Sequence, residues 1–243
     1  MEEKLLFYAD AINSFVDVGH ELITILRQKK TIDKENLLMF VFARKTVRII
    51  EALQKLLGED LTEEAQILAR ALLETKFAFD YVLKMKERYN ELLGRYLDSL
   101  MLDKLKQLKA TNWAICPDET VKNSYLQIER DIQSRYNQNI LKKLKRYGLI
   151  GLSVEETAKV TDNMGLYNMA YRLYSRNTHF TDGNEQLMQL LWSEKHNIDY
   201  EKSRFAMVIE VTFVCGRSIL QGVNQWLGDP IGFSEKDLPN LSS

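Results

Sequence analysis

The sequence predicts an all-α protein: an up-down bundle of about 7–9 helices forming a single domain. Three observations predict it. Apolar residues recur with a helical period through nearly every long segment. Only 3 prolines and 11 glycines occur in 243 residues, too few for a turn-rich β-sandwich or a disordered chain. The hydrophobic fraction is 45% and the charged fraction 28%, as in ordinary soluble globular proteins. A chain of this length buries about 70–75% of its unfolded surface, so a self-sufficient core is available.

The elements follow in order. Residues 2–28 read as a first helix, with Leu5, Ala9, Ile12, Phe15, Val16, Leu22 and Ile25 at its apolar positions. Residues 33–57 form a second, stopped by Gly58 as a C-terminal glycine. Thr62 is placed to cap a third helix over 63–85, and Glu63 and Glu64 favour its dipole. A fourth covers 88–109. Asn112 to Pro117 is a break, and Pro117-Asp118 opens a long polar fifth helix over 119–146. Its exposed composition suits packing on a second subunit. Ser153 and Glu156 have capping-box spacing for a short helix to about residue 161. Further helices cover 164–179, 184–194 and 200–226, the last ended by Gly228 and Pro230. The domain is expected to span 1–228, with 229–243 an irregular tail.

Charge and cysteine usage exclude several classes. Lys plus Arg total 33 against 34 Asp plus Glu, so the bulk positive charge needed to wrap long nucleic acid is missing. Cys116 and Cys215 lack metal-type spacing, and reduced thiols in a cytoplasm are expected. The N-terminus, with Glu2 and Glu3, lacks the basic start and apolar stretch of a signal peptide. The most apolar stretch, 205–216, is interrupted by Glu210 and falls short of the about 20 residues a membrane span needs. No membrane contact is expected.

Nucleotide-fold and serine-hydrolase motifs are absent: there is no Gly-x-Gly-x-x-Gly, phosphate loop, Cys-x-x-Cys or Gly-x-Ser-x-Gly. A di-metal helical bundle needs two carboxylate-x-x-His pairs. Asp17 with His20 offers one, but Arg176 precedes His179 and Ser193 precedes His196 at that offset. Neither a metal nor a cofactor is expected. The run Lys142, Lys143, Lys145, Arg146, with Tyr136 and Tyr147 nearby, could touch a phosphate backbone. A solvated, dipole-favourable helix end explains it as well.

Two helices carry the chemistry. The third is apolar on almost every face, so it belongs inside the protein. Arg70 and Glu74 lie within it, four residues apart on one face. Burying either alone costs several kcal/mol, so they must pair with each other or with polar groups of another helix. They are either a structural ion pair or the lining of a polar cleft. The seventh helix holds Tyr167, Tyr171, Arg172, Ser175, Arg176 and His179. At about 100° per residue, Arg172 and His179 differ by only about 20° around the axis, with Arg176 within about 60° of both. Tyr171 and Ser175 flank that stripe. An imidazole can take or give a proton near neutral pH, and a guanidinium can hold a phosphate through two hydrogen bonds. Together they could cleave RNA without a metal, the His activating a 2′-hydroxyl against the adjacent phosphate. The same residues could instead form an internal hydrogen-bond network.

Arg70-x-x-x-Glu74, followed about a hundred residues later by Tyr167-x-x-x-Tyr171-Arg172-x-x-Ser175-x-x-x-His179, resembles an uncharacterised bacterial all-helical family, the domain of unknown function numbered fifty-six seventy-seven. The resemblance covers about residues 38–222 and implies no activity. A second resemblance is to the HEPN superfamily, which includes metal-independent RNases of toxin and phage-defence systems. Its signature is Arg, four to six residues, then His; Arg172 and His179 meet it with six between. The family often has a polar residue after that Arg, where Leu173 stands here. The resemblance implies catalytic roles for His179, Arg172 and Arg176, and a homodimer acting on RNA. Tyr167, Tyr171, Ser175, Arg70 and Glu74 would support them. The competing expectation is a non-enzymatic helical binding or oligomerisation module.

Overall fold

The computed structural model describes residues 2–28, 34–114, 118–177 and 194–232. Every regular element among them is helical, as the periodicity requires. Besides three 3-10 turns (Lys34–Asn36, Lys86–Arg88 and Gly148–Ile150) they are, in order, α1 (Glu2–Gln28), α2 (Leu37–Gly58), α3 (Thr62–Lys84), α4 (Tyr89–Ala110), α5 (Glu119–Arg135), α6 (Gln138–Tyr147), α7 (Val154–Val160), α8 (Met164–Leu166), a π-helical turn (Tyr167–Tyr171), α9 (Arg172–Asn177) and α10 (Glu194–Trp226). The expected helix over 184–194 and most of the expected tail lie outside the described residues. The backbone groups into two compact units, one of residues 1–80 with 162–243, the other of residues 81–161.

In the first unit α1, α2 and α10 pack on one another. Phe15, Leu22, Met39, Val47, Ile50, Phe213 and Leu220 fill the space between them. Phe213 is the hub, its ring 4.7 Å from that of Tyr8 and 5.4 Å from that of Phe15. Two glycines let the helices approach. A Cβ on Gly19 of α1 would fall 2.2 Å from Val47 Cγ2, and one on Gly216 of α10 would fall 2.8 Å from Ile50 Cδ1. On the same helix as Gly216, Cys215 is wholly buried, and burial pushes its thiol up to about 12. Arg204, also on α10, is buried and held by Gln66 Oε1 at 3.0 Å and by Glu63 and Glu201 at 3.2 Å each. By length and composition the segment Asp199–Trp226 is apolar enough to cross a membrane, yet 61% of its most apolar window is buried inside the protein. The sequence expectation placed no candidate span here, because Glu210 divides the most apolar run.

The second unit has its own small core: Leu102, Ile132, Leu141 and Leu144, flanked by Met101, Ile128 and Tyr136. Its ends are tied where Lys84 Nζ donates to the Val160 carbonyl at 2.6 Å. Here the structure corrects the long fifth helix expected over 119–146. That helix ends at Arg135, Tyr136 is extended, and Asn137 caps α6 by accepting from the Ile140 N–H at 2.9 Å. The cause is the buried carboxylate of Asp98. Arg135 Nη2 donates to it at 2.9 Å and Tyr136 OH at 2.8 Å. With Tyr136 extended, both side chains turn to that one carboxylate. The hydrogen bond contributes to holding the Tyr136 phenol near 12, though burial is the larger cause.

Other local expectations meet the structure closely. Ser153 and Glu156 form both bonds of the capping box, and Asp118 caps α5 through Thr120 and Val121. Gly58 is instead the last helical residue of α2, and the left-handed position falls on Asp60 (φ 58°). There the Leu61 N–H returns to the Leu56 carbonyl at 2.9 Å and closes the turn.

The glycines predict opposite outcomes for one substitution. Gly19→Ala forces its methyl into the branched Val47 side chain, and overpacking of about 1–3 kcal/mol outweighs the helix-propensity gain. Gly94→Ala meets nothing within 4 Å and gains about 0.5–1 kcal/mol. Urea unfolding of the two variants beside the parent measures both signs.

Candidate functional site

The site is built from three segments of the first unit. Arg70 and Glu74, one turn apart on α3, pair through Arg70 Nε and Glu74 Oε1 at 3.3 Å. A third group joins them from about a hundred residues away. Arg70 Nη2 donates to the Tyr171 hydroxyl at 3.1 Å, and that hydroxyl donates to Glu74 Oε1 at 3.0 Å. The three side chains close a triangle. Arg70 and Glu74 do not lie as deep as an all-apolar helix implied: their side chains are 23% and 39% exposed. They sit at the edge of the core, while Tyr171 is 7% exposed. Burial, and then the Glu74 carboxylate, raise the Tyr171 phenol above its ordinary range.

Tyr171 is the last residue of a π-helical turn. A regular α-helix advances about 100° per residue, and a π turn accommodates an extra residue and resets the faces beyond it. The tyrosine rings at either end of the turn, Tyr167 and Tyr171, stack with centroids 5.1 Å apart and planes at 18°. Each stacked ring carries an arginine: Arg70 lies 5.0 Å from the Tyr171 centroid and Arg172 lies 5.4 Å from that of Tyr167. The result is a continuous run Arg70–Tyr171–Tyr167–Arg172. Arg172 itself is exposed.

The described residues show only part of the stripe expected on the seventh helix. Tyr167, Tyr171 and Tyr174 are buried, Ser175 is half-buried, and Arg172 faces outward. Arg176 is helical in backbone, but its side chain is not among those described, and His179 lies outside the described residues. The π turn spans Tyr167 to Tyr171, whose rings still stack on one side. The Arg172-to-His179 interval begins after it.

Sequence reasoning missed two sets of partners. Lys45, on α2, faces Glu74; burial lowers the lysine pKa and the carboxylate opposes that shift. No local pattern marks Lys45, because it lies 29 positions from Glu74. The second set is Lys76, Asp80 and Asn163. Lys76 pairs with Asp80, and Asn163 Nδ2 donates to the same Asp80 oxygen at 2.6 Å. The four-residue spacing of Lys76 and Asp80 was a readable signal. His20, which has carboxylate-x-x-His spacing with Asp17, meets Glu51 Oε1 at 2.9 Å.

The family of unknown function DUF5677 has a model that matches residues 36–197. The chain belongs to this family. The DUF5677 match starts near the expected residue 38 and ends short of the expected 222, leaving most of α10 beyond it. It contains Arg70, Glu74, Tyr167, Tyr171, Arg172, Ser175, Arg176 and His179. No curated protein and no solved structure matches the chain.

Tyr171→Phe removes the hydroxyl that serves both charged partners. A loss of about 1–3 kcal/mol in unfolding free energy is expected. The sign with pH follows from the raised phenol. The folded state holds that proton more tightly, so the contribution is full below the unfolded phenol value of about 10 and drains as pH rises through the higher folded value. The stability gap between parent and Tyr171→Phe, read by urea unfolding, should therefore narrow above pH 10.

Proposed function

We propose that this DUF5677 chain is a HEPN-like, metal-independent RNase of a toxin or phage-defence type, acting in the cytoplasm as a homodimer on RNA. The observation that carries this reading is the exposed Arg172, held against the Tyr167 ring on the helix whose sequence continues to His179. A guanidinium stacked on an aromatic face loses little freedom when it binds a phosphate, so it is pre-organised for an anion. The Arg-x₆-His spacing supplies the second group.

In this reading His179 takes the proton of an RNA 2′-hydroxyl. That oxygen bonds to the neighbouring phosphorus as the bond to the 5′ oxygen breaks, and the departing oxygen takes a proton from water. The products are a 2′,3′-cyclic phosphate and a 5′-hydroxyl. Arg172, assisted by Arg176, neutralises charge developing on the phosphoryl oxygens. Tyr171, Ser175, Arg70 and Glu74 position the helix and do not touch substrate.

One observation favours a second reading, a non-enzymatic helical binding or oligomerisation module. Arg70, Glu74 and Tyr171 satisfy one another in a closed triangle, as groups with a purely structural task would.

The two readings separate by experiment. The purified chain is incubated with single-stranded RNA in the presence of a chelator and the ends are analysed. Cleavage with cyclic-phosphate ends is expected, falling at least about 10²-fold in His179→Ala. Arg172→Lys should restore only part of what Arg172→Ala loses, because an ammonium lacks the two-pronged geometry. Equal cleavage by parent and His179→Ala, or none by the parent, would sink the RNase reading.

A further inference from the structure

The near-zero total charge hides a segregation. Residues 81–161 carry 15 Lys and Arg against 10 Asp and Glu, a net +5, and the rest of the chain carries −6. The bulk arithmetic that argued against nucleic acid is therefore an average over two unlike units.

Within 81–161 the charge has a place to act. A cleft of about 350 Å³ is lined by the buried Leu102 and Leu105, by Lys106, Lys109 and Lys145, and by the carboxylates of Asp103 and Glu129. Lys109 is held, donating to both Glu129 oxygens at 2.8 and 2.6 Å. Lys106 on α4 and Lys145 on α6 form no ion pair among the described residues, and both are exposed. Helix α6 extends the same character. Leu141 and Leu144 turn into the core, which leaves Lys142, Lys143, Lys145 and Arg146 in solvent.

We infer that this face binds the phosphodiester backbone of single-stranded RNA, with Lys106 and Lys145 contacting phosphates at the cleft and Lys142, Lys143 and Arg146 continuing the track along α6. Flexible ammonium groups act as point charges for phosphate and need no fixed geometry. A membrane surface fits less well. An interfacial helix buries apolar side chains in the bilayer, and α6 exposes no large apolar residue. The inference rests on the preceding reading only for the choice of RNA as the polyanion.

The test measures binding apart from cleavage. Full-length chain carrying His179→Ala is titrated into a fluorescent single-stranded oligouridine across a salt series, and anisotropy gives the affinity. Affinity is expected to fall steeply with salt. Adding Lys106→Gln and Lys145→Gln should weaken binding at least tenfold. The log–log salt slope should shrink by about 1.4, roughly 0.7 for each lost contact to a single strand. Circular dichroism checks that the variant is folded, and Lys202→Gln on α10 should leave affinity and slope unchanged. An unchanged slope in the double variant overturns the inference, as does binding to anionic phosphatidylserine vesicles with none to RNA. Cleavage by the parent with an intact slope in the double variant would leave the RNase reading standing and remove this one. Binding as expected without cleavage would do the reverse.

Discussion

The Tyr171 hydroxyl, shared between Arg70 and Glu74, is the contact on which the arrangement of the candidate site depends. An ion pair at the edge of a core gains little by itself, because partial solvent access screens it. Adding one neutral hydroxyl that both donates and accepts gives each charge a second partner with no further charge to desolvate. It also ties a segment near residue 171 to one near residue 70 at a single point. The π turn, the stacked tyrosines and the outward direction of Arg172 are all consistent with that anchor.

A π turn is less favourable than the α-helix it interrupts and persists where the surroundings fix it. Here those surroundings are the stacked ring of Tyr167 and the triangle on α3. Tyr167 and Tyr171 are buried on one side of the turn, and Arg172, the next residue, is exposed.

The all-α class, most helix positions and the caps at Asp118 and Ser153 were legible because they rest on local signals: apolar period, acidic first turns and short-range capping. The break at Tyr136 was not, since its cause is Asp98, nearly forty residues earlier. The same distinction runs through the site. Arg70 with Glu74 could be paired from their spacing, and Tyr171 could be singled out, but nothing local says that they meet. Lys45 went unseen for that reason, and no local signal marked the π turn. The whole-chain charge is a sum and cannot register that basic residues gather in 81–161.

The buried thiol of Cys215 has a consequence of its own. Only the thiolate attacks electrophiles, and a thiol held near 12 in a sealed interior offers almost none at neutral pH. Alkylating reagents and oxidants can reach that sulfur only when α10 leaves its neighbours. Its modification rate is therefore an internal clock for the opening of the helical core, written into the chain with no label added.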